Sequence, residues 1–281
     1  MTPVVITLVL TAALLHAVWN AMMKSGGSPE FSVAAFQLVG GLICLALVSL
    51  VPPPDRASWP LILASVVIHN VYYLTLAQAY RTGDLSQVYP LFRGLAPMMV
   101  AVGAALVAGE WLSPGIWIGV VLVSMGVSSL ALFGGTFGRM SRQSVFWGLT
   151  TSILIALYTV VDGLGVRTAG NSLSYILWLN VFEGIPIICV LLLFRKSAWF
   201  SYIKGNAAGV IAGGIAASTA YGLVMFAMSL GAMAVVSSLR ETSVIFAAII
   251  GSVFLREPFG AARVRAAILV AAGIILMKLL G

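Results

Sequence analysis

The sequence predicts an all-α integral membrane protein with ten transmembrane helices, arranged as two inverted five-helix repeats. Three observations carry this. Of 281 residues, 61% are hydrophobic and only 8% charged, whereas a soluble domain carries about 25% charged residues. The chain therefore lacks the polar surface to cover a water-facing globule. Cutting at Gly, Pro and charged clusters leaves ten apolar runs, each near the ~20 residues a spanning helix needs. Finally, the second half repeats the first. At a shift of 147 residues Arg93 meets Arg240 and Glu110 meets Glu257; at 148, Tyr73 meets Tyr221, Ala79 meets Ala227 and Gly83 meets Gly231.

The first run, 4–24, follows Pro3 with no basic n-region and no small-residue cleavage site, so it reads as a retained span. SGGSPE (25–30) and PPPDRASW (52–59) bound the second, 31–51. The third, 60–81, and fourth, 85–108, are separated only around Gly83, and an acidic turn at Glu110 precedes the fifth, 114–133. GGTFGRMSRQS (134–144) then joins the repeats, which gives domains 1–133 and 145–281. The sixth and seventh runs, 145–166 and 173–194, end at the basic break RKSAWFSYIKG (195–205). The eighth, 206–230, and ninth, 233–255, rest on Gly231, and the tenth is 260–280. Unpaired backbone is not tolerated in lipid, and these runs lack the alternation of a barrel strand, so all are read as helices.

Five helices per repeat is odd, so the second repeat enters the membrane the other way up. Such repeats recur among secondary transporters, with the substrate near the midplane between the halves; a duplicated scaffold is the alternative. Net charge is +7, with the basic residues scattered singly, which suits an orientation signal better than a nucleic-acid surface. Of fifteen Lys and Arg, ten fall in odd-numbered connections, three in even-numbered connections or the C-terminus, and two inside helices. The expected orientation puts both termini outside. Cys44 and Cys189 lie within apolar runs and read as packing residues.

A charge within the hydrocarbon region faces a cavity or a partner. The candidates are Arg93, Asp162, Glu183, Arg240 and Glu241. Arg93 and Arg240 sit at similar depths from opposite faces, which suits a carboxylate site or alternating pairing with acids. Helix locking through Asp162 or Glu183 is the structural alternative. Glu241 adjoins Arg240 in sequence and so points about 100° away, a poor partner for it. His16, Trp19, Asn20, Tyr73, Tyr80 and Tyr89 in the first repeat, with Tyr158 and Tyr221 in the second, are the candidate substrate-facing polar and aromatic groups. An interfacial aromatic belt accounts better for Trp59, Trp111, Trp117, Trp147, Trp199 and Tyr202. Gly115-x-x-x-Gly119 and Gly209-x-x-x-Gly213 read as close helix packing.

The pattern of Tyr73, Ala77, Gly83, Ser86, Pro90, Pro97, Glu110, Gly119 and Gly126 resembles the EamA domain of the drug/metabolite transporter superfamily. Tyr221, Ala227, Gly231, Ser237, Glu257 and Gly273 make a second, weaker match, in which Val244 stands opposite Pro97 and leaves the ninth helix without a proline for its kink. The resemblance implies a bacterial inner-membrane exporter of small metabolites, with amino acids, aromatic ones included, as substrates. It implies no cofactor, no metal and no nucleic-acid partner; the partners are substrate and bilayer, and a monomer suffices. Proton-coupled multidrug transport and sugar or phosphate-compound transport are the alternatives within the class.

An intramembrane enzyme stands further off, since there is no G-x-x-x-x-G-K-[ST], H-E-x-x-H or G-x-S-x-G, and a structural protein does so because inverted repeats go with alternating access. Small multidrug members of the superfamily carry a proton-exchanging glutamate in the first helix. Here that helix has no acid, and Glu183 is expected outside the cavity-lining helices, so uniport or exchange is the expectation, with His16 as its main hazard.

Overall fold

The computed structural model describes residues 1–82, 85–133, 141–254 and 261–280; the side chains at 24, 25, 80, 85–87, 132, 133, 248 and 251–254 fall outside that description. All regular structure among the described residues is helical. The first repeat contains α1 (Pro3–Ser25), α2 (Pro29–Leu47), α3 (Trp59–Thr82), α4 (Leu85–Ala108) and α5 (Pro114–Phe133). The second contains α6 (Arg142–Thr168), α7 (Ser172–Glu183), α8 (Ile185–Phe194), α9 (Lys196–Gly205), α10 (Ala207–Leu230), α11 (Met233–Arg240), α12 (Ser243–Phe254) and α13 (Ala261–Leu280).

Local chemistry sets these starts. Thr2 caps α1 through the Val5 amide, with Pro3 in the first turn, where its missing N–H costs nothing. Asn171 caps α7 by accepting from the amides of Leu173 (2.9 Å) and Ser174 (3.2 Å). Gly170, at φ +69°, makes the left-handed turn between α6 and α7.

Eight helical segments among the described residues are long and apolar enough to cross a membrane. The last two runs fall short for physical reasons: α11 and α12 are interrupted at 241–242, and α13 carries Arg263, Arg265 and Lys278.

Three expectations need correction. The seventh run is broken: Gly184 ends α7 and Pro186 starts α8, because proline cannot donate to the preceding turn. The connection 195–205, read as a plain break, is instead the helix α9, whose Trp199 is buried and donates Nε1–H to the Phe31 carbonyl at 3.3 Å. The proline argument about kinks also inverts. α4 runs unbroken through Pro90 and Pro97, while the ninth run breaks without a proline. There the amides of Glu241 and Thr242 bond to the carbonyls of Ser238 and Leu239, three residues back, which tightens the last turn of α11. The Thr242 hydroxyl also donates to Leu239 O at 2.8 Å.

The surface is inside-out relative to a soluble protein. Leu106, Leu74, Leu193 and Leu279 are among many large apolar side chains left exposed, whereas Arg93, Asp162, Glu183, Arg240 and Glu241 are buried. The packing is exchanged between halves: α1 lies against α10, α11 and α12, and α6 lies against α3 and α4.

The partners α5 and α13 meet through glycine. A side chain at Gly119 would strike the Gly273 carbonyl and Met277, and one at Gly273 would strike the Gly119 carbonyl. Gly119→Val is therefore expected to cost about 1–3 kcal/mol through overpacking, read as a lowered unfolding midpoint in detergent. An unchanged midpoint would mean that the two backbones are not in contact. In the other glycine pair only Gly213 is used, against the Phe36 ring, while Gly209 has nothing within 4 Å.

Candidate functional site

The buried charges divide into a basic group and an acidic group that share an aromatic wall. In the basic group, Arg93 lies on α4 between two prolines, and Arg240 and Glu241 occupy the break after α11. Arg93 Nε donates to Glu241 Oε2 at 3.1 Å, and its Nη2 lies 3.0 Å from Oε1 at an angle too poor for a hydrogen bond. The partner of Arg93 is therefore Glu241, neither Asp162 nor Glu183 as helix locking was expected to require. The two are 148 residues apart in sequence, and the turn at 241–242 is what aims the carboxylate at α4.

Arg240 is different. It is 3% exposed, and its Nε and Nη2 have no hydrogen-bond partner among the described residues. Its neighbour Glu241, in the turn that follows α11, faces Arg93 instead.

The wall comes from four helices. Tyr158 of α6 stacks on His69 of α3, with centroids 4.0 Å apart and planes 26° apart. Tyr72 and Tyr221 meet the same ring edge-on at 5.7 and 6.1 Å. Tyr158, Tyr72 and Tyr89 all lie in the electrostatic reach of both arginines, as does His16 of α1. His16 packs edge-on against Trp19 at 5.0 Å. Asn20 turns away, its amide donating to the His16 carbonyl at 2.7 Å. The side chain of Tyr80 lies outside the described residues.

The acidic group sits beyond the wall. Asp162 accepts from the hydroxyls of Tyr175, at 3.0 Å, and Tyr221. Glu183 Oε1 accepts from Tyr73 OH and from Gln37 Nε2, each at 3.0 Å, and lies 3.9 Å from His69 Nε2. Glu183, expected outside the cavity-lining helices, thus joins α2 and α3. The break at Gly184 places it there, and Asn70 Nδ2 donates to the Glu183 carbonyl at 3.3 Å, satisfying a backbone acceptor at the helix end. The hydroxyls of Tyr73 and Tyr221 are consequently held by carboxylates. Gln37 and Tyr175 escaped the sequence reading, although Gln37 is the one side-chain amide in the second apolar run.

A latch closes one end. Arg167, at the end of α6, lies 2.5 Å from Glu110 and donates to the carbonyls of Met228 (2.9 Å) and Gly231 (2.7 Å). Glu110 also accepts from the Met233 amide at 2.9 Å, at the N-terminus of α11, where a carboxylate is favoured. A shallow cavity of about 540 Å³ opens beside this pair, lined by Trp111, Ser113 and Ala232 among others. It is separate from the buried groups. Glu257, the repeat counterpart of Glu110, lies outside the described residues.

Long apolar helices around a buried core of paired and unpaired charges define a multi-pass membrane protein, here of the transporter class. The chain belongs to the EamA-like transporter family, which it matches twice, over residues 3–132 and 142–279. Members of that family are transporters of small molecules, not enzymes. No curated relative matches the chain. A solved structure described only as "Crystal structure of protein" is similar in fold, with a TM-score of 0.80 at 18% identity over 100% of this chain and 98% of the other.

Proposed function

We propose that this chain is a secondary transporter that exports small carboxylate-bearing metabolites, amino acids and aromatic ones among them, by alternating access across a bacterial inner membrane. It crosses the membrane ten times in two inverted halves, 1–133 and 145–281, joined by 134–144. The exchanged packing supports this arrangement: α1 treats α10–α12 as α6 treats α3 and α4, as a two-fold axis in the membrane plane requires.

Arg240 carries the substrate proposal. A buried guanidinium with unmade hydrogen bonds costs free energy until an acceptor arrives, and a carboxylate is the planar acceptor it fits. Tyr158, Tyr72 and Tyr89, with His16 and Trp19, supply flat faces nearby for an aromatic side chain. One unpaired arginine matches one carboxylate better than a phosphate, which usually recruits several cations. The Glu110–Arg167 latch closes the outer mouth in this orientation.

The deciding experiment is uptake into proteoliposomes of labelled amino acids, sugars and cationic drugs. Preference for sugars or cations would reject the carboxylate. Orientation is tested separately: a reporter fused after Gly281 is expected to be active outside, and cytoplasmic activity would reverse the topology while leaving the fold.

A further inference from the structure

Among the described residues, the buried charges do not balance. Two arginines, Arg93 and Arg240, face three carboxylates, Asp162, Glu183 and Glu241. Burying a net negative charge at membrane depth is costly. Neither Asp162 nor Glu183 has an arginine or lysine bonded to it: the donors on Asp162 are two tyrosines and the Ser65 hydroxyl, those on Glu183 are a tyrosine and an amide, and His69 lies within electrostatic reach of Asp162 as well.

His69 identifies where a neutralising proton goes. Its Nδ1 lies 3.0 Å from the Ser65 carbonyl, and a carbonyl can only accept. Nδ1 therefore carries a hydrogen, and the Ser65 hydroxyl at 3.1 Å donates elsewhere or shares that contact. The other nitrogen, Nε2, then presents a lone pair toward Glu183 Oε1 at 3.9 Å. Two lone pairs facing each other across a buried gap repel. One proton, on either atom, turns the contact into a hydrogen bond or an ion pair and removes the excess charge.

We propose that His69 and Glu183 form a proton-binding site, and that its proton crosses the membrane together with a carboxylate bound at Arg240, in place of the uniport or exchange expected from the sequence; export then runs down the substrate's own outward gradient and carries the proton out with it. The coupling rests on the substrate reading above. A carboxylate at Arg240 adds a negative charge to the group, so it strengthens the hold on the proton, and linkage makes the effect mutual. Tyr158 connects the two positions. It stacks on His69, and Arg240, Arg93, Asp162 and Glu183 all act on it electrostatically. The other groups facing the pair are Gln37 from α2, Asn70, Tyr72 and Tyr73 from α3, and Tyr221 from α10. None of these brings a fixed charge; the one charged group that does face His69 is Asp162 of α6, reached through Ser65, and its carboxylate adds to the negative charge that a proton on the pair offsets. The proton enters from water on one face and leaves to water on the other, so no other reactant is needed.

Two measurements test this. Infrared titration of the purified protein in lipid nanodiscs should show a protonated carboxyl band that is lost in Glu183→Gln and titrates at a different pH in His69→Gln. Adding L-phenylalanine or phenylacetate should raise the pH at which the band disappears, and Arg240→Gln should abolish that rise. A band that survives Glu183→Gln, or no band at any pH at which the protein stays folded, overturns the site.

In proteoliposomes, exchange of labelled L-phenylalanine and phenylacetate without a pH gradient tests the transporter reading by itself. An imposed gradient should then drive accumulation approaching about tenfold per pH unit for one proton per substrate, abolished by a protonophore. Glu183→Gln should lose the accumulation. Exchange with no gradient-driven accumulation in the unmodified protein overturns the coupling. If neither compound exchanges, the substrate reading fails, and the infrared titration alone decides the proton site.

Discussion

Arg240→Gln is expected to cut transport of carboxylate substrates by about 10- to 100-fold. A hydrogen bond to a charged group is worth ~1.5–3 kcal/mol, and 1.4 kcal/mol is a decade. The same change removes a buried cation whose Nε and Nη2 have no hydrogen-bond partner among the described residues, so the unfolding midpoint should hold or rise. That combination separates a binding role from a structural one. Normal transport by Arg240→Gln would sink the proposed site, and a variant that failed to fold would turn Arg240 into a helix lock. Arg240→Lys keeps the charge but loses the planar fork, and should recover only part of the activity.

Arg93→Gln should act in the opposite way, mainly on stability. It strands Glu241, which is fully buried and held by Arg93 through two contacts. Breaking one side of a buried pair costs about 3–5 kcal/mol, because the remaining charge has nowhere to go. The loss should appear as a markedly lowered unfolding midpoint in detergent or nanodiscs. Pairing it with Glu241→Gln should restore most of that loss, since two neutral groups replace a charge and its orphan. If the double variant is no more stable than the single, the contact between α4 and the α11 break does not contribute to the fold.

The contrast between these two arginines marks the limit of the repeat as a guide. By sequence they are equivalent, at a shift of 147 residues. In the structure one is neutralised and the other is left with unmade bonds. Residues equivalent by sequence need not share a role in one conformation, because each is surrounded by the side chains of its own half, which differ.

The sequence by itself determined the solvent of this protein, the apolar runs from which its spans are built, and its duplication. Those properties are local: a run of about 20 apolar residues specifies a span whatever surrounds it, and caps such as Asn171 act within three residues. The list of buried charges followed too, since any charge inside such a run must find cover. Only the tertiary structure decided what covers each one. Arg93 finds Glu241 across 148 residues, Tyr73 finds Glu183 across 110, and Gln37 finds Glu183 across 146. The breaks at Gly184 and at 241–242 aim those carboxylates, and the second carries no proline to announce it. Hydropathy measures how badly a charge fits in lipid, and that cost is the same whichever partner relieves it. The choice of partner, and the unmade hydrogen bonds of Arg240 Nε and Nη2 among the described residues, come from helix packing alone.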